Sequence, residues 1–457
     1  MSVWIVISVF IAMLGLGAWA GRGVKDLRAF ALSKGYFSSF ALFATIVASF
    51  VGGGVIVGTA EKSFLSGIGY AGALLGFSAQ LIITALFFSP RLARMNNVLT
   101  IGDVVRSSYG KAAQILTGLL WLSFCIGILV AQMSVLGKTL SLFFPWDYTT
   151  NVLFGGGVVI VYSLLGGMRA VVITDVVQFI LFAVMVPLAL VFGISEVGGL
   201  NVLWSKLPEG HLSLLGNMDG LAFIGIFLSF LLGDALIPPV VQRMLMAKNS
   251  RQALVTTFWG GWMTIPLIAF SAGLGLVAYA LNPELDSGRI IPYLFQSVLP
   301  VWLQGLAVAG ILSVIMSSAD SYLNAAAVVL VNDVVHPLTP KKLSDGIQLG
   351  LARWLTLVLG GVAITFSLVT RDILDILLHT YKFWGPTVVI PIVLSVLGKA
   401  LSKRAFFLAF LAGTGTVVLW DVFGLEDTLQ LSGLVPGILV NALVCGIAWL
   451  AAFSKGK

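Results

Sequence analysis

The chain has 457 residues, 59% of them hydrophobic and only 10% charged, with a mean hydropathy of +1.04. Soluble domains carry roughly 25% charged residues, so the composition excludes a soluble globular protein and predicts an all-α integral membrane protein. The net charge of +7 does not signal nucleic-acid binding, because the basic residues sit in short loops between apolar stretches and no basic face with interleaved aromatics occurs.

A helix needs about 20 apolar residues to cross a bilayer. Such stretches are predicted at 2–20, 38–60, 70–90, 112–137, 149–166, 170–193, 219–242, 253–281, 298–331, 350–370, 373–397, 404–424 and 431–453, about 13 helices. The first lacks the basic start and small-residue cleavage site of a signal peptide and reads as a retained helix. Basic residues collect in alternate loops: Arg22, Lys25, Arg28 and Lys34; Arg91, Arg94, Arg106 and Lys111; Arg169; Arg243, Lys248 and Arg251; Lys341, Lys342 and Arg353; Lys399, Lys403 and Arg404; Lys455 and Lys457. By the positive-inside rule these loops are cytoplasmic, which puts the N-terminus outside and the C-terminus inside. The longest polar stretches, 194–218 and 332–349, read as loops, so residues 1–457 form a single transmembrane domain.

Two of the stretches look broken. The second contains Gly52-Gly53-Gly54 and the seventh contains Gly233-Asp234-Ala235-Leu236-Ile237-Pro238-Pro239. Glycine and proline free backbone groups that are tolerated at membrane depth only where they line a cavity or bind something; for a lone glycine cluster, close helix packing is the alternative. The breaks lie five stretches apart, in helices that cross in opposite directions. That pattern predicts an inverted repeat with a binding site between two discontinuous helices.

Polar residues within apolar stretches are the next signal. Thr174, Asp175 and Gln178 share one side of a helix, either as a structural patch paired with Arg169 or as an ion-binding group. The ninth stretch carries Ser313, Ser317, Asp320, Ser321 and Asn324 on one face, with Ser318 at its edge. A buried carboxylate costs roughly 2.5–3.5 kcal/mol on insertion scales and usually faces a pathway or an ion. Hydroxyls and carboxylates are the ligands of a hard cation. His211 and His336 fall in predicted loops and His379 on a helix, without zinc-type spacing. Cys125 and Cys445, each inside an apolar stretch, read as buried small hydrophobes.

Together, the segment Gly166 to Gln178, the run Ser317 to Asn324, and Pro238-Pro239-Val240-Val241-Gln242-Arg243 resemble the sodium:solute symporter family. The resemblance covers essentially the whole chain. It implies a LeuT-like fold, a five-plus-five inverted repeat, with an extra N-terminal helix and loop at 1–36, repeats at 37–193 and 194–397 (the second including an external loop), and two C-terminal helices at 398–457. It implies a bacterial or archaeal cytoplasmic membrane protein that imports a small organic solute (amino acid, carboxylate, sugar or vitamin) with one or two sodium ions and no organic cofactor.

The same resemblance implies a first sodium site made of the Ala48, Val51 and Val314 carbonyls with the Ser317 and Ser318 hydroxyls. A second site, present in some members, would fall on Asp175, Ser317, Asp320 and Ser321; here a carboxylate stands at Asp320 where the family pattern has a hydroxyl. Two sodium ions, one sodium, or sodium plus a proton all fit that motif. Candidate linings of the solute cavity are Gly52, Gly53, Gly54, Gln80, Asp234, Ile237, Tyr381, Lys382 and Trp384. Lys382 departs from the family's small residues and either pairs with Asp234, meets an anionic solute, or snorkels. Two rival readings are a proton-coupled transporter and a solute-sensing module that transports nothing; the chain's end at Ser454-Lys455-Gly456-Lys457, without a signalling domain, counts against the sensor. No nucleophile–base set suggests an enzyme.

Overall fold

Lipid offers no hydrogen bonds to a backbone, so spanning segments must satisfy themselves as helices. In the computed structural model, which describes residues 2–141, 143–216, 218–340, 343–369, 373–429 and 431–455, every regular element is helical. The long elements are α1 (Ser2–Gly21), α2 (Ser39–Phe50), α3 (Gly53–Ser66), α4 (Gly69–Phe87), α5 (Lys111–Ser141), α6 (Tyr148–Val197), α7 (Gly220–Gly233), α8 (Pro238–Met246), α9 (Ser250–Leu281), α10 (Val301–Val329), α11 (Asp345–Val369), α12 (Ile373–Val396), α13 (Lys403–Val422) and α14 (Leu434–Lys455).

Short polar residues mark where several of these begin. Ser38, Asp147, Asp219, Asn249 and Ser402 each accept a backbone N–H from the first turn of α2, α6, α7, α9 and α13 respectively, satisfying a donor that has no partner inside the helix.

Among the described residues, nine helices are long and apolar enough to span, or eleven when α2 with α3 and α7 with α8 each count as one bent span. The difference from the thirteen expected lies in α6 and α12. The predicted pair 149–166 and 170–193 is one element of 50 residues, about 75 Å of helix, turned at Gly167, whose φ of 53° and ψ of −144° are open only to glycine. A Cβ there would also run into the Phe30 ring. In α12, the described apolar part is Lys382–Val396.

The stretch 332–349, expected to be a loop, starts as a continuation of α10: a π-helical turn, Leu330–Val335, followed by the short helix His336–Leu338. In the loop 194–218, His211 is buried and packs its ring on Tyr279.

α10 is the hub. Of its most apolar window 78% is buried, against 28% for the corresponding windows of α1 and α13, and it packs on α1, α2, α5 and α6. Both breaks come to its sides. α13 and α14 pack on each other and on α12 at the periphery. Cys125 and Cys445 are buried and free.

Candidate functional site

The first break follows from its residues. α2 stops at Phe50; Val51 leaves the helical conformation and Gly52 is extended before α3 resumes at Gly53, with a 52° bend. The carbonyls of the last turn of α2 therefore lose their helical partners. Two are met by α10: Ser317 Oγ donates to the Ala48 carbonyl at 2.7 Å and lies 3.2 Å from the Val314 carbonyl, and Ser318 Oγ donates to the Ser49 carbonyl at 3.3 Å. Glycine is required here by proximity. A Cβ on Gly52 would stand 2.8 Å from Ser318 Oγ, and one on Gly53 would stand 2.9 Å from Ile315 Cγ1.

Ala48, Val51, Val314, Ser317 and Ser318 are all buried; these contacts join Ser317 to Ala48 and Val314, while Ser318 bonds to Ser49. Their oxygens are neutral carbonyls and hydroxyls, a donor set that fits a hard monovalent cation.

One turn further along α10 the polar face changes character. Asp320, Ser321 and Asn324 are fully buried. Tyr162 donates its hydroxyl to Asp320 Oδ2 at 2.7 Å, Ser321 donates to Oδ1 at 3.2 Å, and Thr174 reaches Oδ2 at 3.5 Å. Asp175 does not pair with Arg169, which instead donates to Ser33 Oγ and lies over the Tyr36 ring. Its partner is Arg243 of α8, at 3.3 Å, with both side chains fully buried. Thr45 also donates to Asp175 Oδ2. Arg243, counted from sequence among the cytoplasmic loop cations, is thus a core residue, bound on three sides by α2, α6 and α10.

The second break, bent by 46°, runs through Asp234 to Ile237. Leu236 holds a φ of +57°, a left-handed conformation that is rare outside glycine. Trp384 Nε1 donates to the carbonyl of Ala235 at 3.2 Å, supplying one partner that the broken helix lost. Trp384 is buried against Trp121 and Phe124. Asp234 and Ile237 are buried at the break.

The remaining cavity candidates divide. Gly52 and Gly53 are buried and Gly54 is exposed. Gln80 turns along its own helix to Thr84 Oγ1 at 2.9 Å. Lys382 does not pair with Asp234; it forms ion pairs with Asp421 at 3.0 Å and Glu426 at 2.6 Å, at the outer edge of the α12–α13 contact. The side chains of Tyr381 and His379 lie outside the described residues.

Sequence reasoning passed over Gln132, whose amide lies against Gly52 and Gly53, and Thr45, Ser49 and Tyr162. A lone glutamine or tyrosine in an apolar helix was the available signal. It also passed over a cluster beyond the end of α10, where Thr100 Oγ1, Asn332 Nδ2 and Gln114 Nε2 all reach Asp333 Oδ1 at 2.6–3.2 Å.

Two broken helices beside a buried, hydroxyl-bearing helix are the architecture of secondary transporters built with discontinuous helices. A model of the sodium:solute symporter family matches residues 30–413, and the chain belongs to that family. It is 26% identical to the osmoregulated proline transporter OpuE of Bacillus subtilis, over 98% of this chain and 94% of the relative. To the human high affinity choline transporter 1 it is 27% identical over 72% of this chain and 60% of the relative. Among solved structures, a substrate-bound, outward-open Na+-coupled sialic acid symporter superposes with a TM-score of 0.82 at 17% identity, covering 98% of this chain and 96% of that one. MhsT in complex with L-phenylalanine gives 0.60 at 14% identity, over 93% of this chain and all of the other. These likenesses show the LeuT-like fold.

Proposed function

We propose that this protein is a sodium-coupled symporter that imports a small ammonium-bearing organic solute across a cytoplasmic membrane, with its N-terminus outside and its C-terminus inside. The observation that carries the reading is the meeting of Ser317 and Ser318 with the freed carbonyls of the α2–α3 break. Sodium is cargo here. The Ala48, Val51 and Val314 carbonyls and the two serine hydroxyls would hold it, in place of the hydroxyl-to-carbonyl bonds that now close the gap.

Coupling follows from where these oxygens lie. The carbonyls belong to a broken helix and the hydroxyls to the buried hub, so an ion between them fixes the position of α2 and α3 against α10. The solute would bind between this break and the second one, where Asp234 and Trp384 lie. A solute that binds only when the break is so placed gains affinity from sodium, and sodium gains the same factor from the solute. The repeats 37–193 and 194–397 would then rock the two broken helices against α5 and α10 to open each side in turn.

The solute class is supported by the proline and choline transporters among the relatives. The test is uptake of labelled proline and choline into proteoliposomes under an inward sodium gradient. Sodium-stimulated uptake and counterflow of one of them are expected, with Ser317→Ala shifting the sodium requirement upward. Binding without counterflow would sink the transporter reading, and equal uptake on a proton gradient at negligible sodium would sink the coupling ion.

A further inference from the structure

α12 carries Pro386 and Pro391 inside the helix. Pro391 has no N–H to offer the Thr387 carbonyl four residues back, and its ring crowds that carbonyl. Thr387 Oγ1 turns back to the Phe383 and Trp384 carbonyls at 2.6 and 3.0 Å, a bond that bends helices. A carbonyl freed at membrane depth needs a donor from elsewhere in the protein. α14 supplies it. Asn441 is fully buried, and its Nδ2 reaches the Pro386 carbonyl at 2.8 Å, the Thr387 carbonyl at 3.0 Å and the Ala409 carbonyl of α13 at 2.9 Å. One turn on, the Cys445 thiol lies 3.7 Å from Asn441 Oδ1 and holds the amide in that orientation. Small residues admit the approach: a Cβ on Gly413 would run into the Pro386 carbonyl, and one on Gly437 would stand 2.8 Å from Pro386 Cβ.

The same stretch of α12 faces the second break. Trp384 donates to the Ala235 carbonyl, and a Cβ on Gly385 would lie 3.5 Å from Gly233 Cα. Leu434, Val435 and Ile438 of α14 pack with Leu228 and Leu232, the last turns of α7 before that break. We propose that Asn441 is a positioning residue for transport: it clamps α12 at Pro386 and Thr387 and, through Trp384, fixes the carbonyl edge of the second break, so that the C-terminal helices α13 and α14 set how far that break moves. Asn441 lies beyond residues 30–413, the part matched by the family model. α12 cannot follow a movement of the break without giving up bonds to the amide. The inference rests on the reading of the second break as a wall of the solute path.

The experiment uses the full-length protein in proteoliposomes and has two readouts. One is the rate at which N-ethylmaleimide modifies Ala235→Cys, counted above the native Cys125 and Cys445, which are buried. The other is sodium-driven uptake of labelled proline and choline. Asn441→Ala should speed the modification and lower the maximal uptake rate, each by about fivefold, the worth of one neutral hydrogen bond. Half-saturation by sodium should stay at the wild-type value, because the first break keeps its serines. In a Trp384→Phe background, Asn441→Ala should leave the modification rate unchanged, since the indole is the link. A rate that rises equally in both backgrounds, as a general loosening of the fold would give, overturns the proposal, and so does an unchanged rate in Asn441→Ala alone. Where Asn441→Ala does not fold, Gly437→Ala, which drives a methyl against Pro386, should give the same pair of rates. Absence of sodium-driven uptake of either solute by wild type would overturn the reading on which the inference rests, while the modification rates still decide for or against the clamp.

Discussion

Arg243 and Lys382 both carry positive charge on largely apolar helices, and the protein deals with them in opposite ways. Arg243 and Asp175 are fully buried, and the arginine is surrounded by oxygen. Lys382 reaches toward the edge of the bundle, where its partners Asp421 and Glu426 are about one-third exposed. Taking a charge out of water costs several kcal/mol, and the pair repays this only when its remaining donors are also satisfied. The core site meets that condition with three hydroxyls and a carbonyl. At the periphery, water shares the work.

The largest expected effect is at the core. Arg243→Ala should destabilise the protein by about 3–5 kcal/mol, because Asp175 is left charged and buried, and the double variant Arg243→Gln with Asp175→Asn should recover much of it. Denaturation in micelles measures both. Equal stability of the single and double variants would break the comparison.

Next is Tyr162→Phe, which removes the 2.7 Å hydroxyl donor from Asp320. Losing a partner of a buried polar group costs about 1–3 kcal/mol, and the loss should appear as a lower melting temperature without any change at Lys382.

Ser317→Ala removes a neutral bond to the Ala48 carbonyl. In sodium-free buffer it should cost about 1 kcal/mol, while half-saturation by sodium rises about tenfold, a 1.4 kcal/mol effect. A stability loss as large as that of Arg243→Ala would mean the hydroxyl is structural.

The smallest effect is expected for Lys382→Ala, within about 1 kcal/mol, as for other partly exposed ion pairs, with sodium-dependent uptake kept. A strong uptake defect at unchanged stability would move Lys382 into the solute path and erase the contrast.

The same two residues mark how far the sequence could be read. Lys382 stood out as a cation within an apolar stretch, whereas Arg243 followed two prolines and preceded Lys248 and Arg251, so a tally of basic residues assigned it to a loop. Burial of Arg243 depends on Thr45, Ser49, Asp175 and Ser321, which lie 68 to 198 positions away. No local period encodes such a meeting. The hydroxyl face of α10 and both breaks were legible, since each is written within one or two turns of chain: serines at helical spacing, glycines in a row, paired prolines. Tyr162, with only apolar residues or glycine three and four positions to either side, carried no pattern that pointed to Asp320. The bend at Gly167 was legible only as a boundary between two stretches, because a single residue suffices for it.

The two breaks also differ in what they store. The first is made by Val51 and Gly52, both at negative φ and free of left-handed strain. At the second, Leu236 is held at a φ of +57° while its side chain is fully buried. A left-handed L-residue costs roughly 1–2 kcal/mol, and emptying a buried leucine site costs about 2–5 kcal/mol, so packing outweighs the strain only while the leucine stays in its socket. The second break is the strained one of the two. Any movement that withdraws Leu236 from its neighbours gives the backbone an immediate return toward ordinary geometry, and the Trp384 indole that clasps the adjacent carbonyl is the catch that such a movement would have to release.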